Sequence, residues 1–130
     1  MYYGTKLHDS DFDLVIKRAN QYGVRKFLFA AGYIHDAQDS YNLSLKSEDF
    51  YCTVGVHPCR AQEPFKDYKK DIEEHDIKDD LSKEEIIARY ISKIDEMLNN
   101  AEKRDKFVAI GECGLDYDRF EYADKETQLL

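Results

Sequence analysis

The sequence predicts an α/β fold in which helices alternate with parallel strands. Three short apolar runs, at 24–30, 50–56 and 107–110, have the nearly continuous hydrophobicity of strands that are covered on both faces. The segments between these runs carry apolar residues at helical spacing, and polar residues follow the runs where each one ends. No internal repeat and no linker divides the chain, so we expect one domain over residues 1–130.

The first elements follow from periodicity and from the residues that interrupt it. Asp9 or Ser10 can cap a first helix, and Gly23 stands where glycine is favoured just after a helix ends. The strand 24–30 follows directly, and a second helix is expected from about residue 36 to residue 46. The apolar positions of the first helix recur at intervals of three and four residues: Phe12, Val15, Ile16, Ala19 and Tyr22.

The rest of the chain continues the alternation. The strand 50–56 must stop at Pro58, which has no N–H to donate to a sheet. A helix is expected at 65–75 within a polar, acidic stretch. A capping box at 82–85 then begins the most regular helix, whose apolar stripe runs from Ile86 to Ala101. The strand 107–110 and the opening of a last helix at 124–130 complete the order.

Composition and charge exclude several classes of protein. The net charge of -8 argues against a broad basic face for nucleic acid, although eight acidic residues against two lysines between Asp71 and Glu85 account for much of it. No signal peptide or membrane span is visible. Three cysteines without CxxC spacing fit a reducing compartment, and we expect Cys52 and Cys113 to be small buried residues. The cytoplasm, or the nucleus, is the expected location.

Glu112 is the strongest candidate for an active-site residue. It directly follows the strand 107–110, between Gly111 and Gly114, in a setting that allows close approach of a ligand. A carboxylate there suits Mg²⁺, Mn²⁺ or Zn²⁺ and can bridge two ions. The competing interpretation, that Glu112 caps a helix or pairs with a lysine, has about even weight from the pattern alone. Asp116 and Asp118 are each interpreted as turn residues.

His57 is the second candidate. It precedes Pro58 at the end of the strand 50–56, where parallel α/β proteins place their chemistry. A lone histidine is more often a hydrogen-bonded structural residue, but this position favours a role facing the substrate. His35 is a weaker candidate in the loop after the first strand, and His8 and His75 are given no role.

Two segments together resemble the paired signatures of the TatD-type deoxyribonucleases. They are Thr-Val-Gly-Val-His-Pro at 53–58 and Val-Ala-Ile-Gly-Glu-Cys-Gly-Leu-Asp-Tyr at 108–117, and the stretch 124–128 resembles the start of the family's next helix. The resemblance implies a (β/α)8 barrel that hydrolyses phosphodiester bonds in DNA with divalent metal ions, two in the complete enzyme. It implies that Glu112 bridges the metals and that His57 is an active-site histidine, and it implies no protein partner.

The sequence departs from the family pattern in two ways. It begins in the region after the first barrel strand, and it lacks the later strands that bring two histidines and an aspartate to the metals. The stretch 60–81 is longer than usual, and we expect an acidic surface insertion there. A complete barrel takes about 250 residues. We therefore expect a partial domain that is inactive by itself.

Two alternatives remain open at this point. The chain could be a non-catalytic, flavodoxin-like module that binds a partner through its acidic segment 71–85. It could also belong to another amidohydrolase-like, metal-dependent barrel, since such enzymes share the general layout.

Overall fold

A computed structural model describes residues 9–75 and 78–130. The strands are β1 (Phe27–Phe29), β2 (Phe50–Val54) and β3 (Phe107–Ile110). The α-helices are α1 (Phe12–Gln21), α2 (Ile34–Ser44), α3 (Glu63–His75), α4 (Lys83–Asn100) and α5 (Lys125–Gln128). Short 3₁₀ turns precede α3 at Pro58–Arg60 and β3 at Arg104–Lys106. The predicted alternation is confirmed: β3 has the expected bounds, and β1 and β2 are shorter than expected by one to three residues at an end.

The sheet has the order β1-β2-β3, and both neighbouring pairs are parallel. Phe27 lies opposite Phe50, and Val54 lies opposite Ile110, with an irregularity in the second pairing between Cys52 and Thr53. Because β2 is central, its carboxyl end lies between those of the other two strands. This order confirms the predicted parallel α/β class.

One face of the sheet carries the core. Phe50, Cys52 and Val54 alternate along β2 and are buried, and the rings of Phe27 and Phe29 contact Phe50 edge-on. Cover is less complete than predicted: Leu28, Val108 and Ile110 are 55%, 51% and 82% exposed. The expectation of strands covered on both faces is therefore wrong for β1 and β3 within the described residues.

Helix boundaries show which local signals were sufficient. The capping box is present in full: Glu85 N–H donates to Ser82 Oγ at 3.3 Å, and Ser82 N–H donates to Glu85 Oε2 at 2.8 Å. Gly23 has a φ of +90° just after α1, as its predicted position requires. The predicted cap at Asp9 or Ser10 is wrong, since Asp11 stands at that position and its side chain makes no capping bond.

The acidic stretch forms α3, which packs against α4. Lys93 Nζ lies 2.5 Å from Asp67 Oδ2 and 2.7 Å from Asp71 Oδ2, and Arg89 lies 2.9 Å from the same Asp71 oxygen. These contacts, the Lys93 hydrogen bond foremost, lower the pKa of Asp71. Asp71, within the acidic segment 71–85, is therefore already paired inside the protein. This pairing weakens the hypothesis that the segment 71–85 binds a partner. Residues 76 and 77 lie outside the described residues, and whether 60–81 is an insertion stays a prediction.

Helix α4 also contacts the start of α2. Tyr90 is buried, its hydroxyl accepts a hydrogen bond from Ile34 N–H at 3.2 Å, and burial raises its pKa to about 12. Within the described ranges, no helix is long and apolar enough to cross a membrane.

Candidate functional site at the carboxyl ends of the strands

The carboxyl ends of the three strands meet at one rim. The carbonyl of Ala31 accepts a hydrogen bond from Glu112 N–H at 2.9 Å, and the carbonyl of the next residue, Gly32, accepts one from His57 N–H at 2.8 Å. Two consecutive carbonyls after β1 therefore hold the backbone of both predicted site residues. The structure brings His57 and Glu112 to the same place, as predicted from their positions after strands.

Gly55 allows the end of β3 to reach β1. The Gly111–Glu112 peptide, which is cis, crosses over the end of β2 while Gly111 N–H donates to the Val54 carbonyl at 2.8 Å. A Cβ at position 55 would lie 2.5 Å from the Glu112 carbonyl oxygen and 2.7 Å from the Gly111 carbonyl carbon. Real Cβ atoms do not approach backbone this closely, so only glycine fits beneath the crossing.

Thr53 joins all three strand ends through one hydroxyl. The side chain is 5% exposed. Its Oγ1 accepts a hydrogen bond from Ala31 N–H at 3.0 Å and donates one to the Gly111 carbonyl at 2.5 Å. Because Ala31 and Gly111 flank the Glu112 contact, the hydroxyl fixes the backbone on which Glu112 stands. Thr53 is thus a positioning residue. It is the first residue of the motif at 53–58, but nothing in the sequence indicated this role.

The Glu112 side chain is exposed at this rim. Among the described residues, its carboxylate makes no hydrogen bond and no ion pair. The alternative interpretation, a helix cap or a partner for a lysine, is therefore not observed. An ionised carboxylate with all its lone pairs open can accept hydrogen bonds or coordinate a hard cation.

His57 is oriented by the turn that follows it. Pro58 is buried and begins the 3₁₀ turn, and Cys59 N–H donates to His57 Nδ1 at 3.1 Å. Since Nδ1 accepts this bond, the neutral imidazole carries its proton on Nε2. His57 therefore offers an N–H donor, rather than a metal-binding lone pair, to whatever lies beyond the ring. The neighbouring Cys59 thiol has a pKa raised by burial and by Asp116, so it stays protonated.

The loop after Glu112 is held by Asp116 and Gln128. Asp116 Oδ1 accepts from Asp118 N–H at 3.1 Å, which confirms Asp116 as a turn residue. Its Oδ2 pairs with Arg119 at 2.6 Å, and this hydrogen bond lowers the pKa of Asp116. Gln128 accepts from Asp116 N–H at 2.7 Å and donates to the carbonyls of Asp116 and Ala123 at 2.9 and 2.8 Å. The glutamine thus closes the loop beside the candidate site.

The structure also places Cys113 and His35, the subjects of two other expectations from the sequence. Cys113 is exposed, not buried as predicted, because the chain leaves the sheet at Ile110 and position 113 lies in the loop beyond it. His35 lies against the Tyr33 ring, with centroids 5.6 Å apart, and lines a cavity that His57 does not line. The structure therefore does not bring His35 to the His57 side of the rim.

Among the described residues at the strand rim, Glu112 is the one suitable ligand for a divalent ion. Glu112 fits the role, because its hard oxygens are exposed and open at the carboxyl end of a strand. Within residues 9–75 and 78–130, no group of three or more histidine, cysteine, aspartate or glutamate side chains could hold a metal ion. The described residues therefore contribute to a metal site without completing one.

Parallel strands that alternate with helices, with polar residues gathered at the carboxyl ends, define the class of parallel α/β proteins, whose enzymes work at this edge. The family model described as "TatD related DNase" matches residues 3–129. The chain belongs to this TatD-related family, which confirms the resemblance inferred from 53–58 and 108–117.

Individual relatives agree with this assignment. "Deoxyribonuclease Tat-D" of Schizosaccharomyces pombe is 34% identical over 130 residues, which are 100% of this chain and 36% of the relative. "3'-5' ssDNA/RNA exonuclease TatD" of Erwinia tasmaniensis is 29% identical over 119 residues, 91% of this chain and 36% of the relative. A crystal structure described as an uncharacterized amidohydrolase from Saccharomyces cerevisiae has a TM-score of 0.72 and 31% identity, over 98% of this chain and 36% of that one.

The chain thus spans about a third of the length of the curated relatives that it matches. The likeness to a solved structure at this identity confirms the predicted fold class, parallel β/α units of a (β/α)8-type barrel.

Proposed function

We propose that this chain supplies part of the active site of a metal-dependent phosphodiesterase that hydrolyses DNA. The observation that carries the proposal is the Glu112 carboxylate, which is exposed and open at the strand rim while its backbone is fixed by Ala31. The names of the relatives, a deoxyribonuclease and an exonuclease acting on single-stranded DNA and RNA, support DNA as the substrate.

In this proposal Glu112 is a metal ligand. Its carboxylate would hold divalent ions, Mg²⁺, Mn²⁺ or Zn²⁺. Such ions would supply Lewis-acid chemistry, polarising a phosphoryl group and lowering the pKa of attacking water. Thr53 and Gly55 act indirectly, because they fix the Gly111–Glu112 peptide and so the origin of the side chain.

His57 is the proposed catalytic residue. Its Nε2–H donates to a phosphate oxygen and stabilises negative charge that develops during cleavage. The bond from Cys59 N–H to Nδ1 keeps the proton on Nε2 and fixes the ring orientation.

The ligand set of the described residues sets a limit on this chain acting alone. A divalent ion takes about four to eight ligands, and one glutamate supplies two at most. The remaining ligands would be water, substrate oxygens and side chains outside the described residues. We expect the 130-residue chain alone to lack metal-dependent nuclease activity, and a polypeptide that spans the length of the relatives to have it.

The test is a pair of isosteric substitutions in such a polypeptide. Glu112→Gln keeps the shape of the side chain and removes its charge. We expect kcat/KM for a DNA oligonucleotide to fall at least about a hundredfold, since even groups that only orient metal ligands are worth about 10–100-fold. Glu96→Gln, on the exposed face of α4, should change little. Equal activity of both variants would remove Glu112 from the mechanism.

Hydrolysis of an amide is the second candidate function. It is favoured by the description of the solved relative as an amidohydrolase. Assaying the same polypeptide on DNA oligonucleotides and on a panel of cyclic and linear amides separates the two. Amide turnover that requires Glu112, with no cleavage of DNA, would replace the phosphodiesterase proposal.

A further inference from the structure

Cys59 forms two hydrogen bonds that connect the two halves of the candidate site. Its N–H donates to His57 Nδ1 at 3.1 Å, and its thiol donates to Asp116 Oδ2 at 3.7 Å. His57 follows β2, whereas Asp116 lies beyond Glu112 in the loop after β3. One residue therefore links the turn that orients the histidine to the loop that carries the glutamate, across 57 positions of the sequence.

The charge of Asp116 fixes the direction of the bond between Cys59 Sγ and Asp116 Oδ2. The hydrogen bond from Arg119 is the main cause that lowers the pKa of Asp116, so this side chain is ionised at neutral pH and can only accept. The proton in the contact therefore belongs to the thiol. A thiol is a weak donor, but a bond to an ionised acceptor is stronger than one to a neutral acceptor.

Asp116 is held in place independently of Cys59. Its N–H donates to Gln128 Oε1 at 2.7 Å, and its carbonyl accepts from Gln128 Nε2 at 2.9 Å. Its carboxylate also accepts from Asp118 N–H at 3.1 Å and from Arg119 at 2.6 Å. The thiol thus meets an acceptor whose position does not depend on it, so the contact restrains the turn after His57 rather than the loop.

The orientation of the His57 ring depends on this turn. The turn Pro58–Arg60 is a single 3₁₀ segment, closed by a bond from Arg60 N–H to the His57 carbonyl at 2.7 Å. Such segments have poorer hydrogen-bond geometry than α-helices, so a side-chain anchor adds definition. If Cys59 moves, Nδ1 loses its donor and the neutral ring can adopt either tautomer. The tautomer with its proton on Nδ1 would turn a lone pair toward a phosphate oxygen instead of an N–H.

The contact also lies where a substrate would meet His57. A cleft of about 560 Å³ opens beside His57 at the strand rim, and both Cys59 and Arg119 line it. The volume lies within the roughly 300–1,000 Å³ of typical ligand sites. A small movement of the turn would therefore change the position of the ring within this cleft.

The ordinary alternative is that Cys59 fills space as a small apolar residue. That explanation concerns volume alone, so it predicts that serine would be no better than alanine at this position. It leaves unexplained why the thiol faces an ionised carboxylate while the N–H of the same residue holds the His57 ring.

We propose that Cys59 is a positioning residue for the reaction: its thiol anchors the turn to Asp116, so that its N–H holds His57 with Nε2–H available to the substrate. The inference rests on the proposed function, because that function assigns the contact with phosphate to His57. The two hydrogen bonds exist without catalysis, so they can be tested separately from it.

The first test uses nitrogen NMR of the 130-residue chain in EDTA, with ¹⁵N-labelled histidine and with His57→Gln to assign the signal. We expect the unmodified chain and Cys59→Ser to show the Nε2–H tautomer of His57, and Cys59→Ala to show both tautomers. Hydrogen exchange at the residue 59 amide should be about tenfold faster in Cys59→Ala than in Cys59→Ser, because the anchor of the turn is lost.

The second test measures kinetics in a polypeptide that spans the length of the relatives. A misplacement of 1 Å can cost about 10²-fold in rate, and for this weaker restraint we expect Cys59→Ala to lower kcat about tenfold. KM should be unchanged, because the His57 contact strengthens as charge develops. Cys59→Ser should recover most of kcat, and Mn²⁺ affinity should be the same in all three proteins.

Two controls separate the anchor from a general effect of losing a thiol. Cys113→Ala removes an exposed thiol from the loop after β3 and should change neither the tautomer of His57 nor kcat. The double variant of Cys59→Ala and Asp116→Ala should lose no more kcat than Asp116→Ala alone, since the same contact is already absent.

Three results would overturn the role of Cys59: a single Nε2–H tautomer with unchanged amide exchange in Cys59→Ala, a Cys59→Ser protein as impaired as Cys59→Ala, or losses that multiply in the double variant. A fully active Cys59→Ala enzyme would likewise contradict the positioning role, and it would leave the proposed function intact. Absence of nuclease activity in the unmodified longer polypeptide would contradict the proposed function and leave the NMR result standing.

Discussion

Replacing Thr53 with valine tests how the rim is held together. Valine keeps the shape of the side chain and removes the hydroxyl, so Ala31 N–H loses its acceptor and the Gly111 carbonyl loses a donor. Ala31 is fully buried, and an unsatisfied buried donor costs about 1–3 kcal/mol. Gly111 is half-buried, so water offsets part of the second loss. Together we expect the free energy of unfolding to fall by about 2–4 kcal/mol.

Urea denaturation followed by circular dichroism measures this change. Thr127→Val is the matched control, because the Thr127 hydroxyl accepts only a 3.3 Å bond from Gln62 Nε2 at a half-exposed site. Its loss should cost about 0.5–1 kcal/mol. Hydrogen exchange gives a second readout, since the Glu112 amide should lose protection in the Thr53 variant. A Thr53 variant as stable as the unmodified chain, with the Glu112 amide still protected, would refute this role for the hydroxyl.

Three further predictions concern the fold beneath and beside the site. Gly55→Ala should break the bond between Glu112 N–H and the Ala31 carbonyl, because the new methyl group would lie 2.5 Å from the Glu112 carbonyl oxygen; we expect an overpacking cost of about 1–3 kcal/mol and faster hydrogen exchange at Glu112. Lys106→Met should cost about 2–4 kcal/mol in urea denaturation, because the Lys106 ammonium, buried at 2% exposure, donates to the carbonyls of residues 47, 48 and 50; Lys103→Met, at a half-exposed site, should cost far less. Asp71→Asn should lower stability at neutral pH by about 1–2 kcal/mol. Because the folded pKa of Asp71 lies below its usual 3.8, that contribution is complete above about pH 5 and is lost as pH falls through 3.8 and then the lower folded value, so unfolding curves of the two proteins should converge in acid; a gap that persists there would contradict the ion-pair explanation.

The sequence was sufficient for features that depend on neighbours along the chain. Apolar runs located β1, β2 and β3, and the Ser82–Glu85 capping box located the start of α4. Since parallel strands end at one edge, the order of strands and loops also predicted that His57 and Glu112 would share a rim. Their backbone bonds to Gly32 and Ala31 confirm that placement.

Features that depend on contacts between distant segments could not be predicted. Nothing local to Thr53 indicates that its hydroxyl faces Gly111, 58 residues away. Lys106 looked like an ordinary polar residue before a strand, yet three carbonyls after α2 surround its ammonium group. The cleft beside His57 could not be predicted for the same reason. Its lining residues Arg60, Lys66 and Arg119 are far apart in the sequence, and only the fold brings them to one opening.

The hydrogen bond to His57 Nδ1 refines what the sequence implied for this residue. Its position favoured a role facing the substrate, and the resemblance implied only that it is an active-site histidine. With Nδ1 accepting from Cys59 N–H, the neutral ring presents Nε2–H, which suits a phosphate oxygen and not a cation. In our proposal, therefore, Glu112 binds the metal ions and His57 contacts the phosphate.

The most direct test of the central claim is Mn²⁺ binding, measured by calorimetry on a polypeptide that spans the length of the relatives. We predict two Mn²⁺ per chain for the unmodified protein and at least a tenfold weaker affinity for Glu112→Gln, with His57→Gln binding Mn²⁺ as tightly as the unmodified protein. Identical titrations for the unmodified protein and Glu112→Gln would contradict the assignment of Glu112 as a metal ligand.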